Sequence, residues 1–139
     1  MSDRYLVDTN VLSEARKGAR ADRGVRAFRD GTSAEALFVS VLTLGEIRRG
    51  VERLRSRDPV TAGALDRWLA RIEREFASRV VAVDAGVADT WGRLDARSLP
   101  VIDGLLAATA LTHDLVLVTR NVRDVKGTGV RVLDPFGAA

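Results

Sequence analysis

The amino-acid sequence predicts an α/β fold: a three-layer α/β/α sandwich around a central parallel sheet of about five strands. Short apolar, β-branched runs alternate with longer helical patterns along the chain. The run Leu115-Val116-Leu117-Val118 is unbroken by polar residues, as in a strand covered on both faces. No repeat, low-complexity stretch or Pro/Gly/Ser linker divides the 139 residues, so positions 1–139 read as a single domain.

Taken in order, Tyr5-Leu6-Val7 is the first strand, followed by helices over about Asn10 to Lys17 and Asp22 to Asp30. Leu37-Phe38-Val39-Ser40 is the second strand. The helix after it carries Leu44, Ile47, Val51 and Leu54 on one apolar face. Arg57-Asp58-Pro59 breaks that helix, and Pro59 suits the first turn of the next, whose stripe is Leu65, Leu69, Ile72 and Phe76, widened by Trp68. Val80 to Val83 is the third strand, with a helix from Ala85 to about Arg97. Pro100 opens a further helix that runs to about His113. The Leu115–Val118 strand follows, Gly127-Thr128-Gly129 reads as a hairpin turn, and Val130 to Leu133 is a last short strand.

Composition narrows the chemistry. The chain has no cysteine, which removes thiol catalysis, thiolate zinc sites, Fe–S clusters and disulfides together. A single core at this length buries about 68% of the unfolded surface, so no metal or disulfide is needed for folding. The start of the chain carries no long apolar segment, and no later run is long enough to span a bilayer, so a cytoplasmic location is expected. Lys+Arg 22 against Asp+Glu 19 gives a net charge of +3, a mild bias toward polyanions. Only Lys17 and Lys126 are lysines; the arginine excess suits bidentate phosphate contacts and equally matches a genomic bias toward arginine codons.

Open parallel sheets bind ligands beyond the carboxyl ends of their strands. Asp8 ends the first strand in Val7-Asp8-Thr9-Asn10, and Glu46 lies in the opening of the helix after the second, in Thr43-Leu44-Gly45-Glu46. Asp103 lies near the start of the helix after Pro100, and Asn121 follows the fourth strand in Thr119-Arg120-Asn121, with Asp124 three residues on. Each has a purely structural reading. Asp8 is an ordinary helix cap, Thr43-x-x-Glu46 matches a capping box, Glu46 is spaced to pair with Arg49, and Asp124 is a surface acid beside Arg123 and Lys126. Asp103 resists that treatment, because Gly104 to His113 reads GLLAATALTH, a helix buried nearly all round, and a carboxylate entering it needs a partner. Several carboxylates at one edge raise one another's pKa, and a divalent cation relieves the repulsion. Oxygen ligands, no cysteine and one histidine favour Mg²⁺ or Mn²⁺ over zinc. That histidine, His113, is assigned to capping its helix at the C-terminus, and there is no GxxxxGK[ST] loop.

The set Asp8-Thr9-Asn10, Glu46, Asp103-Gly104-x3-Ala108-Thr109-Ala110 and Thr119-Arg120-Asn121 resembles the PIN-domain family. Within it the sequence is similar to the VapC-type toxin ribonucleases of type II toxin–antitoxin pairs, especially their FitB-like branch, from Tyr5 to Pro135-Phe136. The resemblance implies a Mg²⁺- or Mn²⁺-dependent endoribonuclease, a homodimer and a cognate VapB-type antitoxin. It maps Asp8, Glu46 and Asp103 onto the family's three core acids and Asn121 onto a fourth position that is often Asp. Asn121 leaves one negative charge fewer, which Asp124 is placed to supply; one bound ion or two both remain open. Asp8 and Asp103 would hold the principal ion, Glu46 would ligate directly or through water, Asn121 or Asp124 would complete the shell, and Thr9, Asn10 and Thr119 would orient the carboxylates.

Arg48, Arg49, Arg53 and Arg120 lie near the same edge and are candidates for RNA phosphates, or simply solvated charges. One rival is a receiver-like Mg²⁺ signalling domain, with Asp84 as phospho-acceptor and Lys126 as its lysine. A second is a PIN-like binding module with an inactive site, for which Asn121 is the sequence support.

Overall fold

The β-branched runs pair as a parallel sheet. A computed structural model describes residues 2–94 and 99–137. β1 (Tyr5–Val7) leads to α1 (Thr9–Ala15) and α2 (Arg23–Asp30), and β2 (Leu37–Ser40) to α3 (Val41–Leu54) and α4 (Pro59–Glu75). β3 (Val80–Val81) precedes α5 (Ala85–Arg93) and α6 (Val101–His113), and β4 (Val116–Val118) and β5 (Val132–Leu133) complete the sheet. Its order is β3-β2-β1-β4-β5, with every pair parallel. The α/β sandwich expected from the sequence is therefore observed.

Alternation along the strands divides the core between two layers. Val7, Val39 and Val118 face α1 to α4, packing with Val11, Leu12, Val25, Ile47, Trp68 and Leu69. Their neighbours Leu6, Phe38 and Leu117 face the other way, onto Leu106, Ala107 and Ala110 of α6. α6 is buried from Leu106 to Ala110, as its apolar sequence requires, and α5 packs beside it. Their approach is close: a Cβ on Gly104 would lie 3.2 Å from Nε1 of Trp91, and the indole would have to give by a few tenths of an ångström to admit it. No helix among the described residues is long and apolar enough to cross a membrane.

The chain lays down β1, β2 and β3 outward in one direction, then returns past β1 to add β4 and β5 on the other side. The reversal falls between β1 and β4, and the crevice at their carboxyl ends is where such a sheet binds ligands.

Several expected boundaries shift. α1 ends at Ala15, short of Lys17, and a 3₁₀ turn over Gly18–Arg20 follows it. β3 holds only Val80–Val81, because Asp84 caps α5 through the N–H of Val87 (2.9 Å) and draws the chain out of the sheet. α5 stops at Arg93, with Leu94 in an extended conformation as its C-cap; Arg97, its expected end, lies outside the described residues. Leu115 and Val130-Arg131 fall just outside β4 and β5. The expected hairpin at Gly127-Thr128-Gly129 is absent, since β4 and β5 are parallel. A 3₁₀ helix (Val122–Val125) carries the chain back instead, burying Val125, and the glycines serve the return with φ of 87° and 83°.

Candidate active site

Asp8 leaves the end of β1 and is only 5% exposed. Its Oδ1 accepts the N–H of Thr9 (2.7 Å) and so opens α1, while its Oδ2 accepts the Thr119 hydroxyl (2.8 Å) and Nδ2 of Asn10 (3.3 Å). Asp8 is thus a helix cap whose second oxygen is tied to the end of β4. Thr119, also buried, accepts in turn from the N–H of Asn121 (3.0 Å), and Oδ1 of Asn10 accepts the N–H of Arg120 (3.2 Å). These bonds stitch the carboxyl ends of β1 and β4 together at the switch point.

Glu46 reaches the same edge from α3, where Oε1 accepts the hydroxyl of Thr9 (2.8 Å). Its capping-box reading fails. Ser40 caps α3 instead, through the N–H of Leu42 (3.0 Å), because the helix starts directly after β2 and places Thr43 inside it. Glu46 forms no ion pair with Arg49 among the described residues. Asp103 stands in the first turn of α6. Burial, followed by the charges of Asp124, Asp8 and Glu46, pushes its carboxyl up to about 6. The strongest of those charges is Asp124, in the 3₁₀ helix after β4, so its place is beside the acids and not simply on the surface. Asn121 contributes its backbone N–H, and its side chain is exposed.

Four acids therefore share one edge with no arginine or lysine salt-bridged to them among the described residues. The donors are all oxygen, the chemistry that Mg²⁺ and Mn²⁺ prefer. Among the described residues no three acidic or histidine side chains stand close enough together to hold one ion. One or two of the carboxylates, with water and phosphate oxygens as the other ligands, would be the donor set for such a cation.

The candidate arginines separate. Arg48 is tied to Asp66 of α4 (3.0 Å) and to Glu52 (3.5 Å). Arg49 and Arg53 follow Glu46 at helical spacings of three and seven, on its own face of α3. Arg120 lies with its guanidinium carbon 4.4 Å from the centroid of the Phe136 ring, a residue for which the sequence carries no local signal. His113 does not cap α6. Asp114 takes the C-cap, in the left-handed conformation (φ 53°), and the His113 carbonyl instead accepts from Arg4 (3.0 Å).

The receiver-like reading fails on topology and on residues. Receiver domains have strand order 2-1-3-4-5, against 3-2-1-4-5 here. Asp84 caps α5 and lines a hollow with Arg4, Arg79 and His113, apart from the acidic edge, and Lys126 is exposed past the 3₁₀ helix.

The family model described as "PIN domain" matches residues 5–126. The chain is 29% identical to VapC ribonuclease Y4jK of Sinorhizobium fredii, over 96% of this chain and 99% of that protein. It is also 29% identical to Toxin FitB of Neisseria gonorrhoeae, over 94% and 97%. The crystal structure of FitAcB from Neisseria gonorrhoeae superposes with a TM-score of 0.83 at 29% identity, covering 94% of this chain and 97% of that one. With the family model spanning nearly the whole sheet and both strands of the switch point, the chain belongs to the PIN-domain family.

Proposed function

We propose that the chain is a Mg²⁺- or Mn²⁺-dependent endoribonuclease, the cytoplasmic toxin of a toxin–antitoxin pair. The observation that carries the reading is the gathering of Asp8, Glu46, Asp103 and Asp124 at one sheet edge with no arginine or lysine salt-bridged to them among the described residues, and the raised pKa of Asp103 agrees with it. Similarity to a VapC ribonuclease and to a toxin supports the same activity and role. Asp8 and Asp103 are the proposed principal ligands, with Glu46 ligating directly or through water and Asp124 or Asn121 completing the set. A divalent cation at such a site acidifies a water and neutralises charge on the scissile phosphate, so no histidine base is required.

The protein's own groups do the positioning. Thr119 holds Asp8 by a hydroxyl bond and Thr9 holds Glu46, so neither carboxylate pays the full rotamer cost of being ordered at the moment of binding. Thr9 bridges the two acids directly, its N–H to Asp8 and its hydroxyl to Glu46. Hydrolysis then joins a water oxygen to phosphorus in line with the departing 3′ oxygen. The P–O3′ bond breaks, leaving a 5′-phosphate and a 3′-hydroxyl.

The partner in this reading is a VapB-type antitoxin, and the toxin is a homodimer. The likeness to Toxin FitB and to the FitAcB structure of Neisseria gonorrhoeae supports a protein partner. The test is purified protein on total RNA with Mg²⁺, Mn²⁺ or EDTA, followed by mapping of new 5′-phosphate ends. Ends that require the metal and vanish in Asp103→Asn are expected. Ends identical in both proteins, or none with either metal, would reject the reading.

A further inference from the structure

We propose that Arg120, lying on the ring of Phe136, binds an RNA phosphate beside the acidic site, and that Phe136 is its positioning residue. The inference rests on the ribonuclease reading and assigns a working part to the segment after β5.

Arg120 cannot drift from the site. It sits between Thr119, whose hydroxyl bonds Asp8, and Asn121, whose N–H bonds Thr119, and its own N–H is held by Asn10. Its side chain is also held. The guanidinium stands 4.4 Å from the Phe136 centroid, against 5.4 to 5.6 Å in the three other arginine–aromatic contacts described. Phe136 is in turn fixed to the body of the protein. It packs against the core, its N–H bonds Asp134 (3.0 Å), and the N–H of Gly137 bonds the same Asp22 oxygen that caps α2 (2.9 Å). Residues sixteen apart in sequence thus form one platform.

Stacking uses the face of a guanidinium and leaves the N–H donors at its edge, the geometry that receives phosphate oxygens. Arg120 is exposed and forms no salt bridge among the described residues; Arg48 is held by Asp66 and Glu52. Asp22 lies within reach of the Arg120 charge, and that carboxylate already accepts the N–H groups of Gly24, Val25 and Gly137. Beside Arg120 lies a hollow of about 380 Å³ lined also by Asn121, Val122, Arg123, Asp124 and Asp134. Asp124 belongs equally to the acidic cluster, so the hollow adjoins the site of cleavage. A cluster of carboxylates repels the polyanion it is to cut, and a fixed cation at its rim offsets that repulsion. An arginine ordered before binding loses less rotamer entropy when the phosphate arrives.

The test uses the full chain and a single-stranded RNA oligonucleotide that the wild type cleaves, with kcat and KM measured across KCl concentrations and melting temperatures recorded. Arg120→Ala is expected to raise KM about tenfold with kcat within about twofold, and to flatten the salt dependence of kcat/KM by about 0.7 in log–log slope, one phosphate contact. Phe136→Leu is expected to move KM and slope the same way by less, and Phe136→Tyr to restore both. An unchanged slope in Arg120→Ala, with the wild type active, overturns the proposal alone. A Phe136→Leu protein that only melts lower, at unchanged slope, assigns Phe136 to anchoring the chain and overturns its positioning role. A wild type that cleaves no RNA with either metal overturns the ribonuclease reading and this inference with it.

Discussion

α3 serves two charge clusters of opposite character. Toward the edge of the sheet it presents Glu46 to Asp8, Asp103 and Asp124; toward α4 its Arg48 and Glu52, with Arg55 just past its end, meet Asp66. In the second cluster every acid has a guanidinium. Hydrogen bonds from Arg55 hold Glu52 below the usual carboxylate range, and Arg48 does the same for Asp66. In the first cluster the acids face one another, and Asp103 is pushed up to about 6. The chain has arginines to spare, yet none is salt-bridged to this edge among the described residues. Paired acids at a surface belong to the fold; acids assembled without cations are what the proposed divalent site requires.

Breaking the unpaired cluster has the largest expected effect. Asp8→Asn and Asp103→Asn should each lower RNA cleavage by about 100- to 1,000-fold, read as initial rates in Mn²⁺. Removing the hydroxyl that holds Asp8 comes next. Thr119→Val leaves the shape in place, and a fall of about 10- to 100-fold in metal affinity or rate is expected. Gly104→Ala would drive a Cβ toward the Trp91 indole and displace the first turn of α6, so a lower melting temperature and weaker cleavage are expected together.

Stability against pH sharpens the contrast. With its pKa raised, metal-free Asp103 binds its proton more tightly in the folded chain than in the unfolded one. Its contribution to stability is therefore fullest below about pH 4 and is lost as pH rises through about 6. Asp103→Asn removes that loss and should melt higher than the wild type in EDTA at neutral pH. After discounting for the part-exposed carboxyl, the gain is about 1–2 kcal/mol, closing toward pH 4. A gap independent of pH would contradict the raised pKa. The smallest effect belongs to the paired cluster: Asp66→Asn should barely change the melting temperature and leave cleavage as it was.

The placing of the candidate acids at one edge was legible because its logic is positional. Asp8, Asp103 and Asn121 each follow a strand or open a helix, and the apolar sequence after Asp103 already required a partner for its charge. β4 was visible as an unbroken apolar run, since burial on both faces leaves no polar residue to confuse the pattern. The route from β4 to β5 was not. Gly127-Thr128-Gly129 has the local chemistry of a hairpin, while the 3₁₀ helix that makes the strands parallel is too short to show a period, and only Val125 is buried from it. The capping box at Thr43 misled for a similar reason: α3 begins directly at the end of β2, so Ser40 caps it and Thr43 lies a turn inside. Contacts across the fold, such as Arg48 with Asp66 or Arg120 with Phe136, leave no trace in local sequence.

The contrast between the two clusters is tested most directly by calorimetric titration of Mn²⁺ into the wild type, Asp103→Asn and Asp66→Asn. Binding by the wild type and Asp66→Asn alike, weakened about tenfold or more in Asp103→Asn, is the expected result. Equal binding by all three proteins, or none by the wild type, would contradict the account.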